Sequence, residues 1–112
     1  MSDCLFCKMV NGEIKPDVVY EDQNLLAFRD INPQAPLHVL LIPKRHLANL
    51  NHLEDAVLGG QLLQAAARIA GEHGYDQSGY RTVINCNDHG GQTVHHLHLH
   101  LLAGRAMHWP PG

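Results

Sequence analysis

Thr93-Val94-His95-His96-Leu97-His98-Leu99-His100-Leu101-Leu102 is the stretch whose reading decides the fold. Side chains on a strand alternate between its two faces, with same-face neighbours about 7 Å apart. Read as a strand from Thr93 to Leu102, the segment puts Leu97, Leu99 and Leu101 on one face, to be packed on a core. His96, His98 and His100 form a row on the other. His95 points with the leucines or into the strand start.

Four readings of that row compete: a solvated polar surface, a metal site, a pH switch, and nucleophilic and acid–base chemistry on phosphate. Strict alternation of titratable rings is a poor way to make a surface. His-x-His on a strand can chelate an ion, but no Asp or Glu lies close in sequence, leaving His38 or His46 to complete the set. The phosphate reading gains from His89-Gly90-Gly91-Gln92-Thr93 just upstream. Glycines let backbone N–H groups converge on an anion, Thr93 adds a hydroxyl and Gln92 an amide. Such a turn before a histidine nucleophile would hold the oxygens on which charge develops.

Outward from this strand, the chain reads as one α+β domain over residues 1–112, with a catalytic strand 93–102 and a tail 103–112. Asp3 is the expected cap of a helix from Cys4 to Val10, stopped by Gly12. Val18-Val19-Tyr20 and Leu25-Leu26-Ala27-Phe28 read as paired strands around the turn Glu21 to Asn24. His38 to Ile42 is a near-continuous apolar strand closed by Pro43, hence central. Asn51 is the expected N-cap, with Glu54 three residues on, of a helix reaching His73 and stopped by Gly74. Ala56, Leu63, Ala66, Ala67 and Ala70 are its expected apolar stripe, and Gly59-Gly60 inside it costs about 1 kcal/mol per position relative to Ala. Tyr80 to Ile84 is a further strand. Five strands and two helices without strict alternation point to a mostly antiparallel sheet.

The 112 residues (12.4 kDa) are 45% hydrophobic and 17% charged, an ordinary globular balance. A formal charge of −3, from 8 Lys plus Arg against 11 Asp plus Glu, argues against nucleic acid as a partner. No apolar run is long enough to span a membrane, and Met1-Ser2-Asp3 does not open a secretory signal, so a cytoplasmic protein is expected. Three cysteines, Cys4, Cys7 and Cys86, make a poor disulfide framework. The 10 histidines are the compositional anomaly.

The sequence resembles the histidine-triad (HIT) superfamily, whose signature His-φ-His-φ-His-φ-φ (φ apolar) is matched in full by His96 to Leu102. The likeness runs over nearly the whole chain, through Phe28 to Pro36, His38, Ile42-Pro43-Lys44, Gly90-Gly91-Gln92 and Trp109-Pro110-Pro111-Gly112. The first and last of these stretches resemble the Hint branch, the nucleoside phosphoramidate hydrolases, rather than the branch that cleaves dinucleoside polyphosphates. The resemblance implies a homodimer whose sheets join into one of ten strands. It implies purine nucleoside monophosphates and their phosphoramidates as ligands, and catalysis without a required cofactor. It implies His98 as the nucleophile, forming a covalent nucleotidyl-histidine. His100 would contact the phosphate and help protonate the leaving amine, and His96 and His38 would orient His98 and share its proton. A neutral nucleophilic imidazole also needs an acceptor for its other nitrogen, such as a backbone carbonyl. Asp30 matches the ribose-binding carboxylate. Asn85, Gly91, Thr93 and Val94 match positions near the phosphate, and Gln92 belongs to the same turn. Phe6, Phe28 and Ile31 match the apolar base pocket. Trp109 matches a residue reaching the partner subunit's site. His95, where many Hint members carry an aromatic residue, and Ala103, where they often carry Gly, are departures.

Cys4-x-x-Cys7 has zinc-knuckle spacing. A structural zinc would need two further ligands, for which His46 and His96 are the candidates; otherwise the cysteines are small apolar residues on a short helix. Three other functions remain open: a non-catalytic nucleotide-binding or interaction module, a dinucleoside polyphosphate hydrolase, and a metal-dependent hydrolase.

Overall fold

A computed structural model describes residues 3–112. Its elements are α1 (Leu5–Val10), β1 (Val18–Glu21), β2 (Leu25–Arg29), β3 (Leu37–Pro43), a 3-10 turn (Leu50–His52), α2 (Ala56–Glu72), β4 (Tyr80–Val83), α3 (Asn87–Gly90) and β5 (Leu99–Ala103). The strands form one antiparallel sheet in the order β1-β2-β3-β5-β4. This is the α+β architecture read from the sequence, with three α-helices rather than two.

The central position of β3 follows from its composition, for every residue from Leu37 to Pro43 is buried. One face of the sheet carries Leu25, Ala27, Val39, Leu41, Leu99 and Leu101, which pack with Leu58, Leu62, Ala65, Ala66, Ile69 and Ala70 of α2. The other carries Leu26, Phe28, Leu40 and Ile42, covered by Phe6 of α1. The leucines of the His-Leu repeat therefore lie in the α2 core, with Leu97, Leu99 and Leu101 at 1%, 1% and 0% exposure. The register pairs Leu40 with His100 and His38 with Leu102, so His38 and His100 are diagonal neighbours on the α1 face.

Several boundaries differ from the sequence reading. The last strand begins at Leu99, not Thr93, and ends at Ala103. Leu97 N–H donates instead to Leu47 O at 2.7 Å, which ties residues before Leu99 to the segment after β3 and away from the sheet ladder. The long helix begins at Ala56, because Asn49 caps a separate 3-10 turn and Asp55 accepts from Val57 N–H and Leu58 N–H. Its buried stripe is Leu58, Leu62, Ala65, Ala66, Ile69 and Ala70, which leaves Ala56, Leu63 and Ala67 outside. A Cβ on Gly59 would sit 3.4 Å from Leu53 Cδ2, at van der Waals contact, and nothing lies near Gly60, so packing does not require either glycine. The cap of α1 is Cys4, whose Sγ accepts from Cys7 N–H, in place of Asp3. The Gly-rich stretch is a short helix, α3, closed by Gly91 at φ +79°. Among the described residues no helix is long and apolar enough to cross a membrane.

Candidate active site and metal cluster

His98 and His100 lie against a cleft of about 630 Å³ between α1, the end of β2 and the segment leading into β5. Leu5, Phe6, Met9, Ile14, Phe28 and Leu40 make an apolar wall, Asp30, Ile31, Thr93 and Val94 also line the cleft, and Lys15, Asp17 and Arg29, with Pro16, add a polar side. Phe6 meets both Phe28 and His98 edge-on, at centroid distances of 5.4 and 5.2 Å. Phe6, Phe28 and Leu40 of this wall also belong to the second core cluster, and the nucleophile candidate His98 meets it at Phe6.

Hydrogen bonding assigns a proton to each ring. His98 Nδ1 lies 2.7 Å from the carbonyl of His96. A carbonyl only accepts, so Nδ1 carries the hydrogen and, in the neutral ring, Nε2 carries the lone pair. The second assignment begins at Gln34, whose backbone N–H donates to His38 Nδ1 at 3.1 Å. His38 must then be protonated at Nε2, which lies 2.9 Å from His100 Nδ1 and 3.5 Å from Asp30 Oδ2. His100 Nδ1 accepts, so its proton is on Nε2. The site pairs a lone pair on one imidazole with a donor on its neighbour, at a ring separation of 5.1 Å. Burial lowers the pKa of His100 to about 4, helped by the His98 and His38 rings and opposed by Asp30. Burial likewise lowers that of His38, against the Asp30 charge. Both rings are therefore neutral near pH 7.

His96 is separated from this set. Its ring is fully buried, and Nε2 donates to Pro43 O at 2.8 Å. That leaves the Nδ1 lone pair facing Cys4 Sγ at 3.3 Å, Cys7 Sγ at 3.6 Å and His46 Nδ1 at 3.2 Å. Cys7 Sγ lies 3.3 Å from His46 Nδ1, and the four ligand atoms all fall within 4.8 Å of one another. Tetrahedral zinc, with Zn–S about 2.3 Å and Zn–N about 2.0 Å, needs S···N edges near roughly 3.5 Å and N···N edges near roughly 3.3 Å. The cluster fits these dimensions, and Pro43 O supplies the outer-shell acceptor that a metal-binding imidazole uses. Burial raises the Cys7 pKa, as does the neighbouring Cys4; a bound dication would reverse that. The second possible metal group, Asp30, His38 and His100, is built differently. Its two imidazole nitrogens lie at a hydrogen-bond distance of 2.9 Å, shorter than the roughly 3.3 Å edge of tetrahedral zinc.

The structure does not bring every residue of the sequence reading to the cleft. Thr93, Val94, Asp30, Ile31, Phe6 and Phe28 line it, although Ile31 is fully exposed at the rim. Gln92 does not: its buried amide donates to Ala48 O and Val94 O and accepts from Asn87 N–H, so it braces the loop. Asn85 and Gly91 flank α3, outside the cleft lining, where Gly90 packs on the Asn85 backbone. Trp109 is 82% exposed in the tail and is not part of its own cleft. The sequence reading missed Met9, which a helical count on α1 would have put beside Phe6, as well as Leu5 and Ile14, and the backbone partners at Gln34 and Pro43, for which no sequence signal exists.

A five-stranded antiparallel sheet with a histidine pair over an apolar cleft, and a third histidine turned to a Cys/His cluster, defines a histidine-triad protein. The chain belongs to the HIT family, whose domain pattern matches residues 11–107. Its fold superposes on a HIT family hydrolase from Legionella pneumophila with a TM-score of 0.94 at 54% identity, covering 97% of this chain and 99% of that one. A 14 kDa zinc-binding protein of Brassica juncea is 47% identical over 98% of this chain and 100% of its own. A purine nucleoside phosphoramidase of Escherichia coli is 43% identical over 94% of this chain and 90% of its own.

Proposed function

We propose that the chain hydrolyses the P–N bond of purine nucleoside phosphoramidates. The observation that carries this reading is the ring assignment: a lone pair on His98 Nε2 and a proton on Nε2 of the neighbouring His100 ring. In the first step His98 Nε2 forms a bond to phosphorus. The substrate's P–N bond breaks, its electron pair stays on the departing nitrogen, and that nitrogen takes the Nε2 proton of His100. An amine anion is far more basic than an imidazole, so a neutral ring suffices as donor, and the His38 Nε2–H held on Nδ1 stabilises the charge left behind. In the second step water adds to phosphorus, the bond to His98 breaks with its electrons returning to Nε2, and the water proton restores His100. The products are a nucleoside monophosphate and an amine. Phe6, Phe28 and Ile31 would flank the base, Asp30 the ribose, and Thr93 and Val94 the phosphate.

The metal reading is part of the same proposal. Cys4, Cys7, His46 and His96 would hold a structural zinc, which supplies no chemistry to the reaction and fixes the segment that carries the His96 carbonyl. The proposal includes a homodimer: β4 is an edge strand, and Trp109 is exposed and does not line its own cleft, so it is free to serve a second copy's site. The reading is supported by the name of the E. coli relative, while the Brassica relative's name supports the metal.

The test is mass spectrometry after brief mixing with an adenosine phosphoramidate. A nucleotidyl adduct on His98 is expected in the wild type. His98→Ala should form none, with turnover reduced by about 10³-fold or more and AMP binding retained. Near-normal turnover in that variant would remove the nucleophile assignment, and faster cleavage of dinucleoside polyphosphates than of phosphoramidates would favour the other hydrolase class.

A further inference from the structure

The direction in which the His38–His100 pair presents its proton depends on a contact with no ionisable partner. Gln34 N–H donates to His38 Nδ1. Were that donor withdrawn, His38 could carry its hydrogen on Nδ1, its Nε2 would accept from His100 Nδ1, and a lone pair on His100 Nε2 would face the cleft. The loop bearing Gln34 is fixed from the far end of the chain. Arg105 Nε donates to Gln34 O at 2.9 Å, and Arg105 Nη1 donates to Ala106 O at 3.0 Å, so the guanidinium bridges this loop to the tail. One residue earlier, Gly104 has φ +98°, and a Cβ there would lie 2.8 Å from Pro36 Cβ and 3.2 Å from the Tyr75 hydroxyl. Only glycine lets the chain leaving β5 lie this closely on the loop. Within the loop, Asn32 N–H donates to Asp30 Oδ1 and the Gln34 side chain donates to Asn32 O, so the segment from Asp30 to Gln34 is internally braced.

We propose that Arg105 is a positioning residue: by holding the Gln34 carbonyl it keeps the Gln34 N–H on His38 Nδ1, and so aims a proton from His100 Nε2 into the cleft. Arg105 is exposed and touches no reacting atom, and it acts through the tautomer of His38. Asp30, 3.5 Å from His38 Nε2, favours the same tautomer, so loss of Arg105 weakens the preference without abolishing it. A positioned proton donor is worth about 10²–10⁴-fold in rate, and partial loss of its orientation translates to on the order of tenfold.

This inference rests on the phosphoramidase reading for its kinetic consequence, but its structural content is read without substrate. Long-range ¹H–¹⁵N spectra of the imidazole rings in the full chain at pH 7.5 report which nitrogen of His38 and His100 is protonated. The wild type should show both rings protonated at Nε2. Arg105→Ala should shift His38 toward a mixture of tautomers and lower kcat by on the order of tenfold, with KM changed by less than about twofold. Arg105→Lys, which keeps a donor for Gln34 O, should recover most of both. A wild-type His38 protonated at Nδ1 overturns the proposal. So does an Arg105→Ala protein with unchanged tautomers, even if its thermal midpoint falls, because Arg105 would then be only structural. If no phosphoramidate is turned over by any form, the functional reading fails while the ring spectra still decide this one.

Discussion

His100→Asn should make the protein less sensitive to mild acid. In the folded chain the His100 ring is half-buried, and burial, with His98 and His38 beside it, holds its pKa at about 4 against an ordinary 6.5. The unfolded chain therefore binds a proton at this ring throughout the window between 6.5 and about 4, while the folded chain does not. The contribution is fully present above pH 6.5 and is lost as pH falls toward 4. Between pH 7.5 and 5.0 the linkage relation gives about 2 kcal/mol for a ring shifted this far. A half-exposed ring beside a solvent-open cleft realises less, on the order of 1 kcal/mol. Urea unfolding of zinc-replete protein at the two pH values measures this as a difference of differences. The wild type should lose on the order of 1 kcal/mol more than His100→Asn, whose side-chain oxygen can still accept from His38 Nε2. Ring titration by NMR checks the assignment directly. Equal acid losses in the two proteins, together with a His100 ring titrating near 6.5, would refute the reasoning.

Two further outcomes follow from the packing and the metal cluster. Leu99→Ala removes a side chain 1% exposed between β5 and α2, and should cost about 2–5 kcal/mol in urea unfolding. Purified protein should carry about one zinc per chain, a full complement for one tetrahedral site. At free zinc a hundredfold above its dissociation constant, chelation should lower stability by about 2.7 kcal/mol. Cys4→Ser should reduce the zinc content, and an unmodified protein with less than about one-tenth zinc per chain would remove the metal reading.

The central β3 strand, the α1 turn and the leucine face of β5 were legible because each is written locally. An apolar run with a proline stop, a short helix before Gly12, and a period of two each act within a few residues. The histidine face was legible for the same reason, since alternation with core leucines forces His98 and His100 to the opposite side. What failed was whatever depended on partners elsewhere in the chain. The strand start slid from Thr93 to Leu99 because Leu97 bonds Leu47. Gln92 became a brace because its amide reaches Ala48 O, 44 residues away, while also closing its own loop onto Val94 O and Asn87 N–H.

By itself, the sequence determined that three histidines alternate with leucines, and that two thiols sit at chelating spacing; side-chain period and residue chemistry are properties of the local chain. Only the tertiary structure divided the histidines into two jobs. The β3–β5 register set His38 beside His100 across 62 residues, while the packing of α1 on the sheet brought Cys4 to His96 across 92. Protons were placed last of all, by carbonyls and amides of Pro43, His96 and Gln34, because an imidazole's tautomer is chosen by whichever backbone group faces it.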